Sequence, residues 1–323
     1  MAALVLLACT DREHGLPASD SSTIPTVALT PSASSSTVAP GTTTATTAAP
    51  LLWDGPCGRP AAAPQLYDHV IWIWMENKST KAVLDSRSAP FIHSLTESCG
   101  TASRYTDHGI HPSLPNYLAA TSGGTQGVSD DRSPKAHPLQ VDNIFRQVRA
   151  LGKTARSYVE NMPGNCALTS TSRYAVKHNP AAYYVGEDDR SACQRDNVSF
   201  DQFLADLQNG LPEFAFIVPD ICNDMHDCSV AKGDGWLSDV VSAITASPTY
   251  REGRTAVFIA FDESQGGGTM PFVAIAPSIV PGTRVDTGLD HSSLLGFTED
   301  ALGISTHLGG AADAPSLADA FGI

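Results

Sequence analysis

The sequence has no apolar run approaching the ~20 residues a helix needs to cross a bilayer, no G-x-S-x-G turn and no C-x-x-C pair. Met1–Ala8 is almost wholly apolar but too short to span. Without a G-x-S-x-G elbow, an ordinary α/β-hydrolase triad is disfavoured. Without C-x-x-C spacing, the cysteines are better read as disulfides than as zinc ligands. Cations are also scarce: 20 Lys and Arg stand against 34 Asp and Glu, a formal net charge of -14. That balance argues against nucleic acid as a partner, because a phosphate backbone is bound by a surplus of Lys and Arg. A phosphate ester fits such a surface only where local positive charge offsets it, which a bound metal would supply.

Seven cysteines are present. Leu6-Leu7-Ala8-Cys9 resembles a lipobox, so Cys9 is expected to take lipid, and lipid alone would bring the chain to a membrane. The stretch lacks the basic opening of a signal peptide, and the leader is expected to begin upstream of Met1. The other six, Cys57, Cys99, Cys166, Cys193, Cys222 and Cys228, allow fifteen pairings among which sequence does not choose. Proximity favours Cys222–Cys228 and Cys166–Cys193, with Cys57–Cys99 as the remainder. Disulfides imply an exported chain, held in the cell envelope or secreted. From Leu16 to Pro50 the composition is Ser, Thr, Ala and Pro with almost no charge, too apolar-poor to offset ordering entropy. The expected layout is a truncated leader over 1–15, a disordered tether over 16–52 and a single folded domain over 53–323.

Within that domain, short apolar runs alternate with helical patterns. Strands are predicted at His69–Met75, Ala155–Val159, Phe214–Val218, Thr255–Phe261 and Phe272–Ala276. Helices are predicted at Ala89–Ser98, Leu114–Thr121, Val141–Leu151, Phe200–Leu207, Trp236–Ala246 and Ser292–Leu302. Strands separated by helices imply an α/β fold with a mostly parallel central sheet flanked by helices on both faces. A continuous run such as TAVFIAF is what a strand buried on both faces looks like.

Four of these strands end in acids: Glu76-Asn77, Glu160-Asn161, Asp220 and Asp262-Glu263. Ligands of open α/β sheets bind beyond the carboxyl ends of the strands. Carboxylates gathered there are unfavourable unless they are paired or hold a cation. Helix capping accounts for one or two of them, and a metal site accounts better for the set. Oxygen donors with some imidazole suit Mg, Ca, Mn or Zn. A second constellation runs from Asp107 to Tyr117, with His111-Pro112-Ser113 where a loop turns into a helix. Ser113 is read either as an N-cap or as a metal-activated nucleophile at an anion-binding helix start. The loop from Pro219 to Cys228 is dense in potential ligands, with Asp220, Asp224 and His226. Asp234 follows, read as a ligand or as a cap of the next helix. Asp290-His291 opens the last helix; alone, His291 reads as a surface residue.

Taken together, HVIWIWMEN, HPSLPNYLAATSG, PDICNDMHDC with GDGWL, FIAFDESQGGG and DHSSLLGF resemble the bacterial phosphoesterase family that groups phospholipases C with acid phosphatases, a branch of the alkaline-phosphatase-like superfamily. The resemblance spans about Tyr67 to Gly303. It implies that Glu76, Asn77, Asp262 and Glu263 hold one divalent metal, with Ser113 as the metal-bound nucleophile. His226 and His291, and more loosely His111, would bind phosphate or assist the leaving group; Asp220, Asp224 and Asp234 are further candidate ligands. Glu263 stands where many two-metal members have His, which favours a single metal. The chain is short for a phospholipase C, so the expected activity is that of an acid phosphatase on small phosphate monoesters. The alternatives are a phospholipase C-type phosphodiesterase, a non-catalytic surface protein of the same fold, and a carboxylic-ester hydrolase, which would need no metal.

Overall fold

A computed structural model describes residues 55–323. The lipobox-like Cys9 and the expected tether lie outside the described residues. Every apolar run read as a strand is one. HVIWIWM forms β1 (His69–Met75), buried from Val70 onward. Along the chain follow β2 (Gly100–Ala102), β3 (Tyr105–Thr106), β4 (Ala155–Val159), β5 (Asn197–Ser199) and β6 (Phe214–Val218). TAVFIAF is β7 (Thr255–Phe261), buried throughout. The chain closes with β8 (Thr269–Met270), β9 (Phe272–Ile275), β10 (Thr283–Val285) and β11 (Leu289–Asp290).

Eight strands build the main sheet in the order β10-β2-β9-β7-β1-β6-β4-β5. The five from β7 to β5 run parallel, and β9 is antiparallel to both its neighbours. The small strands β11, β3 and β8 form a separate sheet. Alternation along β1 sends Trp72 and Trp74 to one face, where they meet Phe214 and Phe216 of β6. Three helices cover this aromatic face: Ser113–Ser122 through Tyr117 on Trp74, Ile144–Ala150 through Phe145 on Phe216, and His291–Ala301 through Phe297 on Phe258. Trp72 finds a partner for its Nε1–H in Thr298 Oγ1 at 3.0 Å, as a buried indole requires. On the other face, Phe203 of the helix Phe203–Asn209 packs edge-on against Tyr158.

Helix boundaries follow their caps. The helix expected at Val141–Leu151 is confined to Ile144–Ala150, because the Asn143 side chain accepts from Arg146 N and starts it there. The one expected at Trp236–Ala246 begins at Val230, capped by Ser229, and carries Gly233 and Gly235 in its interior. Phe200–Gln202 is a 3-10 turn leading into Phe203–Asn209. Three disulfides join Cys57–Cys99, Cys166–Cys193 and Cys222–Cys228.

Gly233 shows how tightly the loop from Asp220 to Cys228 is seated. A Cβ there would lie 2.4 Å from Met225 Cγ and 2.9 Å from the Asn223 carbonyl oxygen. Gly233→Ala is therefore expected to destabilise the fold by roughly 1–3 kcal/mol through overpacking, read as a lowered denaturation midpoint.

Candidate metal and phosphate site

The parallel register of the sheet builds the centre. Met75 is level with Phe261, so the residues that follow, Glu76 and Asp262, emerge side by side at the carboxyl ends of β1 and β7. Asp262 N donates to the Met75 carbonyl at 3.0 Å, and Asn77 N donates to Asp262 Oδ1 at 2.9 Å. Asn77 takes a left-handed φ of 55° to make that turn, a conformation Asn tolerates better than most residues. On the neighbouring strand β6, the loop beyond Val218 returns so that the Asp224 carbonyl accepts from Glu76 N at 2.9 Å.

Glu76 is wholly buried. Its Oε2 accepts from Ser113 Oγ at 3.2 Å and its Oε1 from the Tyr117 hydroxyl. Ser113 and Tyr117 are one turn apart on the helix Ser113–Ser122, so one helix face delivers both. Asp262 is equally buried and feels both Glu76 and Ser113. Burial, followed by the neighbouring acids Asp262 and Asp224, holds the Glu76 carboxyl well above its usual range. Burial and the Glu263 charge push Asp262 up to about 7, and burial pushes Asp224 up to about 8.

His178 went unnoticed in the sequence and sits at the heart of the cluster. It is buried, with Nε2 3.3 Å from Glu76 Oε1 and Nδ1 3.4 Å from Asp224 Oδ2. Its ring lies parallel to Tyr117, centroids 5.3 Å apart. Burial, then Lys177 and His226, lowers its pKa well below the usual imidazole value, so it is neutral. Candidate ligand atoms of Glu76, His178 and His226 all lie within 4.8 Å of one another. No motif marks His178: it belongs to a short 3-10 turn, Val176–His178, in an irregular stretch between β4 and β5.

The remaining acids and histidines divide. Glu263 accepts from Asn116 Nδ2 at 3.4 Å and pairs with His111 Nδ1 at 2.8 Å. His291, expected to meet phosphate, lies buried behind Asp262. Its Nε2 donates to the Asp262 carbonyl at 2.7 Å and its Nδ1 accepts from the Tyr105 hydroxyl at 2.9 Å, so both nitrogens are committed. His226 makes an ion pair with Asp227 through Nδ1 at 2.6 Å. Asp220 holds Arg173 through both carboxylate oxygens and accepts from Cys222 N and Asn223 N. Asp234 is inside the helix Val230–Ala246 and does not start it. Its oxygens accept from Phe91 N and Ile92 N, closing the amino end of the helix Pro90–Ser98. These partners leave Asp220 and Asp234 outside the cluster and make them braces of the fold.

The donor set fits a divalent cation. Asp262 Oδ2, Asp224 Oδ2 and both ring nitrogens of His178 are buried without hydrogen-bond partners. Buried polar atoms left without partners in this way are rare in folded proteins. The carboxylate of Glu76 and the imidazoles of His178 and His226, which do lie together, are donors that suit a hard or borderline metal.

The mostly parallel sheet flanked by helices is an alkaline-phosphatase-like fold. The chain is similar to a protein of the alkaline-phosphatase superfamily from Vibrio parahaemolyticus, with a TM-score of 0.55 at 11% identity over 80% of this chain and 72% of the other. A lipoteichoic acid synthase from Listeria monocytogenes shares the fold with a TM-score of 0.53 at 8% identity over 77% of this chain and 76% of that one. Residues 68–305 match the Phosphoesterase family, and the chain belongs to it. It is 30% identical to a phosphatidylinositol-3-phosphatase of Mycobacterium tuberculosis over 82% of this chain and 86% of that protein. A probable acid phosphatase of Kluyveromyces lactis is 32% identical over 58% of this chain, a match that spans 48% of that longer protein. The protein is a hydrolase of phosphoric ester bonds.

The site generates a pH prediction. Asp262 and Asp224 have folded pKa values raised far above their unfolded ones. Without metal, the stability associated with them is therefore greatest in acid and falls as pH rises toward those values. A divalent cation replaces the protons, so it should raise the melting temperature of chelator-treated protein more at about pH 8 than at about pH 5. Asp234→Ala should destabilise by about 1–3 kcal/mol, because two helix-start amides lose their acceptor. If Asp234 is only a brace, that variant keeps the metal-dependent shift.

Proposed function

We propose that the protein is an exported acid phosphatase that cleaves phosphate monoesters through Ser113, using one divalent metal held among Glu76, Asp262, Asn77 and neighbouring donors. The observation that carries this reading is Ser113 Oγ within 3.2 Å of the buried Glu76 carboxylate, at the amino end of a helix. Attack forms the Ser113 Oγ–P bond as the hydroxyl proton passes to Glu76, and breaks the bond from phosphorus to the alcohol oxygen, which leaves with a proton from a neighbouring acid; water then attacks phosphorus, the P–Oγ bond breaks, and Ser113 regains a proton as inorganic phosphate leaves. A bound divalent cation supplies positive charge against the serine oxygen and the phosphoryl group. The helix amino end adds to that charge. Glu76 keeps the serine oriented, and Tyr117 orients Glu76. Among the histidines, His111 is suited to protonate the leaving alcohol. It stands two residues before Ser113, and its hydrogen bond to Glu263 raises its pKa. The three disulfides support an oxidising compartment, and lipidation at Cys9 would anchor the chain there. The mycobacterial relative supports a phosphate monoester on a lipid headgroup as one substrate class.

The test is hydrolysis of p-nitrophenyl phosphate and bis-p-nitrophenyl phosphate by wild type and Ser113→Ala, with and without chelator. Monoester turnover should fall by about a thousandfold or more in the variant and vanish on chelation. A preference for the diester would favour a phospholipase C-type enzyme instead. His111→Ala should lose roughly a hundredfold on an alkyl phosphate and much less on p-nitrophenyl phosphate, whose leaving group needs no proton. Equal losses on both esters would count against His111 as the acid.

A further inference from the structure

A groove of about 730 Å³ has walls that include Asp131, Ser133, Lys135, Leu168, Thr169 and Arg190. Asp131 ties it to the nucleophile. Its Oδ1 accepts at 3.0 Å from the amide of Leu114, the residue after Ser113, and its Oδ2 pairs with Lys177 Nζ at 2.9 Å. Lys177 precedes His178, and the charges of Glu76 and Asp262 reach its ammonium. One wall of the groove therefore ends at the start of the helix that carries Ser113.

The charge in the groove is positive, against the sign of the whole chain. Asp131 is spent on Lys177, which leaves Lys135 and Arg190. Neither makes an ion pair among the described residues; Arg190 is steadied by the Ala182 carbonyl at 3.0 Å. Ser133 and Thr169 add hydroxyls, and Leu168, 43% exposed, with the buried Pro134 and Val176 adds an apolar floor. The walls are braced beforehand: Cys166–Cys193 staples the segment bearing Thr169 to the helix bearing Arg190, and Ala136 N closes a turn onto the Ser133 carbonyl. The volume lies in the usual range of small-molecule sites.

We propose that this groove is the leaving-group subsite, and that it takes the alcohol part of a polyol phosphate bearing a second anionic group. The proposal rests on the phosphomonoesterase reading above. With phosphorus at Ser113, the alcohol extends past Leu114 and Asp131 into the groove. Its hydroxyls meet Ser133 and Thr169, its carbons lie on Leu168, and its second anion meets Lys135 and Arg190. Both a free sugar bisphosphate and a phosphorylated lipid headgroup have this chemistry.

The experiment compares wild type, Lys135→Glu and Lys135→Arg in the full metal-loaded chain. It measures kcat/KM for fructose 1,6-bisphosphate, and for vesicles of phosphatidylcholine with phosphatidylinositol 3-phosphate, each relative to p-nitrophenyl phosphate. Lys135→Glu should lower at least one ratio by about tenfold, the loss of one charge-assisted contact, and Lys135→Arg should restore it. A drop confined to the soluble arm identifies a free polyol, and one confined to the vesicle arm identifies a headgroup. Unchanged ratios in both arms, with p-nitrophenyl phosphate still cleaved, overturn the subsite and leave the phosphatase reading standing. Absence of p-nitrophenyl phosphate cleavage by wild type sinks that reading and the subsite with it.

Discussion

Three carboxylates, Glu76, Asp224 and Asp262, share a pocket from which water is nearly excluded, and the remainder of the site is arranged around that fact. Like charges at such separations in a low-dielectric interior repel strongly. The protein relieves only part of this repulsion with its own groups. Tyr117 and Ser113 donate to Glu76, Asn77 N donates to Asp262, and His226 N donates to Asp224. The unpartnered oxygens that remain belong to the two aspartates. A fold optimised for stability alone would replace such a cluster with apolar residues, since buried charge is weak support for a structure. Such a cluster is able to bind a cation, which would relieve the repulsion among its acids.

The same strand edge shows why an acid at the end of a strand is by itself an ambiguous sign. Glu76-Asn77 after β1 and Glu160-Asn161 after β4 are the same dipeptide in the same place, and both asparagines are left-handed with φ of 55°. Glu160 accepts from Asp220 N and from the amide of Asn223, which satisfies its carboxylate. Glu76 lies two strands away, between β6 and β7, where the partner across the register is another acid and not an amide. Position in the sheet order, which the local sequence does not encode, separates an acid satisfied as a brace from one placed beside another buried acid.

This distinction sets how much was legible beforehand. The strands were readable because a buried parallel strand is an unbroken apolar run, and HVIWIWM and TAVFIAF have few other uses. Motif and strand-end logic gather Glu76, Asn77, Ser113, Asp262 and Glu263; Glu76 lies beside Ser113 and Asp262, whereas Glu263 turns to His111 and Asn116. Asp234 reads locally as a ligand or as the cap of the helix that follows it; the fold places it inside that helix, where Gly233 packs on Met225, and turns its carboxylate to the start of the helix Pro90–Ser98. His291 was read from its helix-start position; what decides its role is the pair of partners, Tyr105 and the Asp262 carbonyl, that come from distant strands. His178 left no trace in the pattern, because its segment has neither periodicity nor an acidic neighbour. Only the tertiary fold brings it between Glu76 and Asp224.

The overall charge of -14 and an anionic substrate are reconciled by local arrangement. Net charge governs the far field, which decays within about a Debye length of ~10 Å at moderate salt. Inside that distance the substrate meets a different set of groups. Asp131 of the groove wall and the acids next to its lining residues in the chain are already paired: Asp131 with Lys177, Asp130 with Arg132 and His137, Asp189 with Arg146 and Arg149. Pairing cancels their reach and leaves Lys135 and Arg190 to set the local sign. The buried cluster of Glu76, Asp224 and Asp262 differs, because two of its carboxylate oxygens have no hydrogen-bond partner and its donors suit a cation. Charge is therefore sorted locally: Asp131 in the groove wall is paired, Lys135 and Arg190 in the same wall are not, and the buried acids gather separately at the strand edge around Glu76. An acidic protein with that order can hold a metal and still admit a phosphate ester to it.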